Sequence, residues 1–525
     1  MSSGAVAIVA TPLQREQKIE DSPGLAERDF ISRGKDADRG WVRRYVRDSK
    51  TWLYDWFTSL GVEFEFVLQT PGNSVPRLHR AKGKGIGLVG PLLTECLRHP
   101  NIVFQWATEA VDLLTEEDAV IGVLVRDLRS GDTRRLEAKA IVIATGGFAA
   151  NLELVRQNWP ADLPAPPQLL VGGSHFATAS GHKMAVRAGG TLTAMDHQWS
   201  YVLGLPDPRD ASGERGLAAF NFQSIWVNRR GERFAKEFDD PETLFPVLLR
   251  QPEASYWSIF DSEAKADFTI TLAGYDDPAE VDQLVYGSEG LVMQGETIEG
   301  LAASIGVPAE TLSATIERYN EQVAAGVDED LGRFDLASSF KPEAIDKAPF
   351  YAAPFFPITR KSMGGIAVDE EAHVLRADGT PIENLYSVGE ATGFAGINGS
   401  AALEGTFLGP GAYMGRVVGR KIAGGESAGE PSDLAPAPTQ ASGPDHANSV
   451  CFACHQLEAD IDTARPGFWH FEQSHAKVLS RGYKCVRCHT GKLPFDPVTH
   501  KLDRLAQTLN CVACHASATE RAAFR

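Results

Sequence analysis

The stretch "AKAIVIATGGFAAN", residues 138–151, decides the fold. A short run of β-branched apolar residues, Ile141-Val142-Ile143, is stopped by Gly146 and Gly147, the pattern of a buried parallel strand entering a tight turn. Upstream, "VIGVLVRDLRSGDTRRLEAKA" predicts a strand, a Ser-Gly-Asp turn and a second strand. Downstream, "HVLRADGTPI" holds an Asp-Gly hairpin turn and "NLYSVGEATG" is another strand running into a glycine loop. "EGTFLGPGAYMGRVVGRKIAGG" predicts a helix over about 406–423, and "PAETLSATIERYNEQVAAG" another over 308–326. Strands, glycine turns and helices in this order predict an α/β body, with roughly residues 200–345, mixed in pattern, as a separate inserted domain.

The chain has 525 residues, 43% hydrophobic and 23% charged, with net charge -18. The acidic excess argues against nucleic acid as a partner, since phosphate binding needs a clustered basic face. No apolar run reaches the roughly 20 residues of a transmembrane helix. Six of the seven cysteines form three pairs, each followed at once by histidine: Cys451 and Cys454 with His455, Cys485 and Cys488 with His489, and Cys511 and Cys514 with His515. Thiols at i and i+3 can add to the two vinyl groups of one haem, and the adjacent histidine then lies under the iron. Paired Cys-x-x-Cys can also hold zinc, but zinc does not require the abutting histidine. Three covalently bound haems c are expected, with His455, His489 and His515 as proximal ligands. One histidine precedes each motif, His446, His475 and His500, and His470 is left over. With no methionine in the tail, these are the candidate distal ligands, and bis-histidine ligation implies low potentials.

Residues 426–445, rich in Pro, Ala, Ser and Gly without apolar periodicity, read as a linker. The segment 446–525 has sparse aliphatic content, and the haems would supply its core. In the body, Gly85-Ile-Gly87-Leu-Val-Gly90 has the spacing of a dinucleotide fingerprint. That motif works when an apolar strand delivers it to a helix; here "PRLHRAKGK" precedes it and reads as no strand. A helical "PLLTECLRHP", a strand-like "NIVFQW" and Glu109 follow.

The segments "SSGAVAIVATPLQ", "RLHRAKGKGIG", "IVIATGGFAAN", "VNRRGERF", "SMGGIAV", "LYSVGEATG" and "NGSAALEGTFLGP", in this order and spacing, resemble the FAD-binding flavoproteins of the fumarate reductase and succinate dehydrogenase family over about residues 1–424. Joined to the haem motifs, the chain resembles a flavocytochrome c. The resemblance implies a Rossmann-like FAD-binding body in two parts, 1–199 and 346–425, an α+β capping domain at 200–345, and a small, mostly irregular or helical multihaem cytochrome c domain at 446–525. It also implies a first βαβ unit with its own fingerprint upstream of Met1, together with an export signal, because haem is attached outside the cytoplasm; a periplasmic location is expected. Flavin contacts implied by the resemblance are Ser3, Gly4, Thr145, Gly146, Gly147, Gly389, Glu390, Phe407 and Leu408. Physics agrees at the last two, since a helix start offers free N–H groups to a negative charge.

The family's substrate clamp is not kept: Arg360 stands for the histidine before the Met-Gly-Gly turn, Ala402 for a loop arginine, and Pro241 near the capping-domain proton donor. Arg360 and Lys361 are candidates for binding a carboxylate or supporting the reduced cofactor's charge, or a surface basic pair. Arg215 is a candidate proton relay or a surface residue. Tyr201 and His197 are candidates for acid–base chemistry or core packing, and Glu404 is a candidate base or a helix N-terminal acid. The expected reaction exchanges hydride between FAD and a small organic substrate, as the reduction of an activated C=C bond in the manner of the fumarate reductases it resembles. The haems connect it to an external one-electron redox partner, a cytochrome or quinol-linked carrier. A dehydrogenase, or a non-catalytic electron-transfer protein, is the alternative.

Overall fold

The computed structural model describes residues 3–271, 278–335 and 340–424. The linker expected at 426–445 lies outside the described residues. So do all three haem motifs: the thiols Cys451, Cys454, Cys485, Cys488, Cys511 and Cys514, the expected proximal ligands His455, His489 and His515, and the expected distal ligands His446, His475 and His500, with His470.

The opening stretch forms the expected parallel strand and turn, but of the strand's three residues only Ile143 is buried and Val142 is exposed. Ile141–Ile143 is a strand parallel to Pro381–Ser387, with Leu385 opposite Ile141 and Ser387 opposite Ile143. Gly146 then takes φ +76, which a side chain would resist. The predicted strand, turn and strand upstream are Ala119–Asp127 and Thr133–Glu137, antiparallel to one another. The first of these also pairs with Thr108–Glu116 and runs parallel to Pro381–Ser387 at Glu383. His373–Leu375 and Pro381–Ser387 form the expected hairpin, with Gly379 at φ +82 in its turn.

A second sheet of three strands corrects the reading of the early glycine motif. "PRLHRAKGK" does contain a strand, Leu78–Ala81, antiparallel to both Ala5–Ala7 and Phe64–Leu68. Its polar letters hid it: His79 is fully buried, yet its ring bonds the Thr11 hydroxyl at 2.7 Å and the Arg77 carbonyl at 2.7 Å. Gly85, Gly87 and Gly90 all lie in the helix Lys84–Arg98. A Cβ on Gly87 would stand 1.7 Å from the Lys82 carbonyl oxygen, so that glycine serves close packing. "NIVFQW" is irregular rather than a strand; Val103 is exposed, and Phe104 stacks on Trp106 at 5.2 Å.

The middle of the chain builds the largest sheet, in the order Ile225–Val227, Tyr256–Phe260, Phe350–Ser362, Gln198–Pro206, Gly216–Asn221, Phe268–Ile270. The boundary expected between 199 and 200 falls inside one of these strands. The expected helices are Ala309–Ala325 and Leu408–Ile422. The last helix buries Pro410, Tyr413, Met414, Val417 and Val418, a 3.6-residue stripe. Tyr413 inserts among Trp41, Tyr45 and Trp52, with ring centroids 5.6 to 6.4 Å away. Among the described residues no helix is long and apolar enough to cross a membrane.

Candidate active site

The site grows from one irregularity in the long strand Phe350–Ser362. Its pairing with Gln198–Pro206 runs Gln198 to Ser362 and Trp199 to Lys361, then jumps to Ser200 opposite Thr359. Arg360 is the extra residue of a β-bulge. Side chains alternate along a strand, so without the bulge Lys361 would face away from Tyr201; with it, Lys361 shares the face of Trp199 and Tyr201. The Lys361 ammonium lies 5.7 Å from the Tyr201 ring centroid and 3.5 Å from that of Phe407, and the Arg360 guanidinium lies 5.9 Å from Tyr201. Arg360 also donates to the Gly172 carbonyl. The Tyr201 hydroxyl donates to Glu404 at 2.7 Å.

The structure therefore gathers Arg360, Lys361, Tyr201 and Glu404, expected from separate stretches, into one cluster. Trp199, Met363, Phe394, Ala401, Ala402 and Phe407 form its apolar wall. Burial drives the Lys361 ammonium down to about 8; Glu404 opposes that shift and Arg360 adds to it. Burial, reinforced by the Glu404 charge, holds the Tyr201 hydroxyl far above its ordinary range. Tyr201 thus stays a proton donor at any physiological pH, whereas Lys361 can gain or lose a proton near pH 8.

Arg215 does not join them. Its half-exposed side chain pairs with Asp207 at 3.3 Å, so its place is a surface ion pair. His197 lies beside the cluster with Nε2 3.1 Å from Asp36, while its carbonyl accepts from Met363 N at 2.8 Å. The Met363-Gly364-Gly365 turn is forced by space: a Cβ on Gly364 would be 1.7 Å from the Ala194 carbonyl oxygen.

On the opposite side of the same strand end, Ser362 meets the glycine turn. Its N–H donates to Glu390 at 3.0 Å, its hydroxyl lies 3.2 Å from the same oxygen, and Phe148 N–H donates to that hydroxyl at 3.2 Å. A Cβ on Gly147 would fall 1.8 Å from the Ser362 oxygen and 2.6 Å from Glu390. Burial raises the Glu390 carboxyl above its ordinary range, against the hydrogen bonds from Ser362 and the charge of Lys361.

The residues present fit FAD. The Thr145 hydroxyl is buried without a protein partner among the described residues. Gly146 has no atom within 4 Å of where a Cβ would stand, so the backbone is open to a ligand there. The last helix starts at Leu408 with Phe407 as its N-cap and no side-chain hydrogen bond on the cap, leaving N–H groups and a positive dipole end for an anionic ring edge. Thr145 to Gly147, Gly389, Glu390, Phe407 and Leu408 thus frame one side of the cluster. Ser3 is exposed, and Gly4 packs on the Lys84–Gly85 backbone, where a Cβ would come within 2.1 Å of the Lys84 carbonyl carbon. Arg33, which holds the loop before Glu404 through the Ala402 carbonyl, carries no motif and was not legible in the sequence.

A family model described as FAD binding domain matches residues 1–408. A fumarate reductase (cytochrome) of Shewanella frigidimarina is 27% identical over 81% of this chain and 70% of its own. A KsdD-like steroid dehydrogenase of Mycobacterium tuberculosis is 27% identical over 80% of this chain and 88% of its own. Among solved structures, the open conformation of a flavocytochrome c3 fumarate reductase superposes with TM-score 0.65 at 26% identity, covering 81% of this chain and 71% of that one. With the glycine turn and helix start that fit the cofactor, these matches show that the chain belongs to the FAD-binding domain family and is an FAD-dependent oxidoreductase of the fumarate reductase/succinate dehydrogenase type.

Proposed function

We propose that the protein reduces a carbon–carbon double bond conjugated to a carbonyl, in a small organic substrate, with electrons delivered through three c-type haems on residues 446–525. The observation that carries this reading is the place of Lys361, its ammonium buried against Phe407 and Tyr201 beside Glu404, where burial lowers its pKa to about 8. Bound FAD supplies the hydride. Lys361, protonated below about pH 8, delivers the proton to the neighbouring carbon, and the Glu404 charge favours the ammonium over the neutral amine that this step leaves. Reduction of the double bond then consumes one hydride and one proton. The substrate's carbonyl end is met by the Lys361 and Arg360 charges and its remainder by the apolar wall, a balance unlike the several cations a dicarboxylate needs.

Support for the haem route is the triple Cys-x-x-Cys-His pattern, which also implies assembly outside the cytoplasm and a one-electron redox partner protein. The test is a panel of enoates, enones and dicarboxylates added to the dithionite-reduced full chain. Haem reoxidation by enones or enoates, absent in Lys361→Met, is expected. Reoxidation by fumarate alone, or by none, overturns the reading. A pyridine haemochrome measurement of three haems per flavin is expected; a ratio near one removes the haem route.

The same apolar wall favours one second reading, oxidation of an apolar ketone, in line with the steroid dehydrogenase named above. In that direction neutral Lys361 takes the proton. Haem reduction by a saturated ketosteroid under anaerobic conditions would select it.

A further inference from the structure

Arg33 is the penultimate residue of the helix Pro23–Gly34, 369 residues from the loop it holds. Its side chain is only 10% exposed. Two of its nitrogens grip both carboxylate oxygens of Asp240, at 2.5 and 2.6 Å, and Glu242 lies 2.8 Å away with Lys35 on its far oxygen at 2.6 Å. Two cations and two carboxylates thus balance. Asp240 and Glu242 open the helix Pro241–Leu249 of the middle segment, and Asp240 is its N-cap.

The remaining contacts of Arg33 point at the active site. Its Nε–H donates to the Ala402 carbonyl at 3.2 Å, two residues before Glu404. Its guanidinium lies 6.0 Å from the Trp199 ring, two residues before Tyr201. A single buried cation therefore touches the chain on both sides of the Tyr201–Glu404 hydrogen bond, and its charge is felt by Glu404. The neighbouring residues strengthen the same platform: Ser400 N–H donates to Asp36 at 2.8 Å and to the Gly34 carbonyl at 3.1 Å, and Asp38 N–H donates to Gly396 O at 2.9 Å.

We infer that Arg33 is the positioning residue of the Tyr201–Glu404 pair: anchored on Asp240 and Glu242, it fixes the Ala402 backbone and Trp199 and so sets where the Glu404 carboxylate stands. This inference rests on the proposed acid–base role of Glu404. Charged or titratable groups that face that carboxylate are Tyr201, Lys361, Arg360 and Arg33.

Protein-film voltammetry of the full chain tests it without any substrate, because the flavin's two-electron wave is narrower than the one-electron haem waves. The readout is the pH at which the flavin potential changes slope. In Arg33→Gln the profile departs from the parent's, because the cation that fixes the Ala402 backbone and the Trp199 ring on either side of the Tyr201–Glu404 pair is gone. Arg33→Lys recovers at least half of the shift. Asp240→Asn, which keeps an N-cap acceptor while weakening the anchor, also alters the profile, and that change disappears when Glu404 is replaced in Glu404→Gln. In the Glu404→Gln background, Arg33→Gln adds no further shift. An unchanged profile in Arg33→Gln, or an equal shift with Glu404 absent, would overturn the inference. A Glu404→Gln profile identical to the parent would instead overturn the role of Glu404, and this inference with it.

Discussion

Ser362 and Lys361 are neighbours at the end of one strand and face opposite kinds of surroundings. Ser362 is locked among Phe148 N–H, Glu390 and the space that Gly147 leaves empty, a polar seat in which each group has a partner. Lys361 points into an aromatic and apolar wall where burial, not pairing, sets its behaviour. On the proposed function, the first side seats the cofactor by shape and backbone, and the second governs a proton by desolvation. The difference teaches where change has room: at Gly147 there is no space for one added methyl group, whereas at Lys361 the balance is set by burial and neighbouring charge.

The comparison breaks most sharply at Lys361. Lys361→Met should lower turnover by about 10² to 10⁴-fold, the usual range for a positioned acid, while flavin content stays at the parental level. A loss of flavin in that variant would place Lys361 on the cofactor side instead. Gly147→Ala should act the other way and reduce bound flavin at least about tenfold, a cost of about 1.4 kcal/mol or more, measured by flavin fluorescence after denaturation. Glu404→Gln should slow turnover by about tenfold or more, at the weak end for a group acting through a neighbour, with flavin retained.

The pH dependence sharpens the same contrast. A lysine depressed to about 8 loses its proton above that value, so double-bond reduction should fall as pH rises past about 8, and the opposite reaction should rise. In Lys361→Arg that limb should vanish from the accessible range, since guanidinium stays charged. The stability sign differs: between about pH 8 and the ordinary lysine value the unfolded chain binds more protons at this position, so Lys361 makes the fold more stable as pH rises through that window. The smallest expected effect is at Arg215, whose half-exposed pairing with Asp207 predicts a change in turnover of less than about twofold in Arg215→Ala.

What the sequence disclosed follows the same divide. Gly147, Gly389 and the start of the last helix were visible because tight turns and uncapped helix ends leave local signatures. Tyr201, Lys361 and Glu404 could be named one by one, but their meeting depends on a bulge at Arg360, and a bulge of this kind carries no glycine or proline to announce it. Arg33 was invisible because its reason lies in Ala402 and Asp240, far along the chain. The strand at Leu78–Ala81 was missed because a buried histidine satisfied by Thr11 looks, letter by letter, like a surface residue.

The bulge at Arg360 has a consequence for how such a site diversifies. A bulge is a place where a strand can gain or lose one residue while the sheet on either side keeps its pairing. Deleting Arg360 would leave Lys361 opposite Trp199 in a regular ladder, still on the aromatic wall, and would remove the guanidinium beside it. One codon gained or lost there rewrites the charge offered to a substrate and leaves the strands that carry the fold untouched, so descendants of this chain could exchange chemistries by length rather than by substitution.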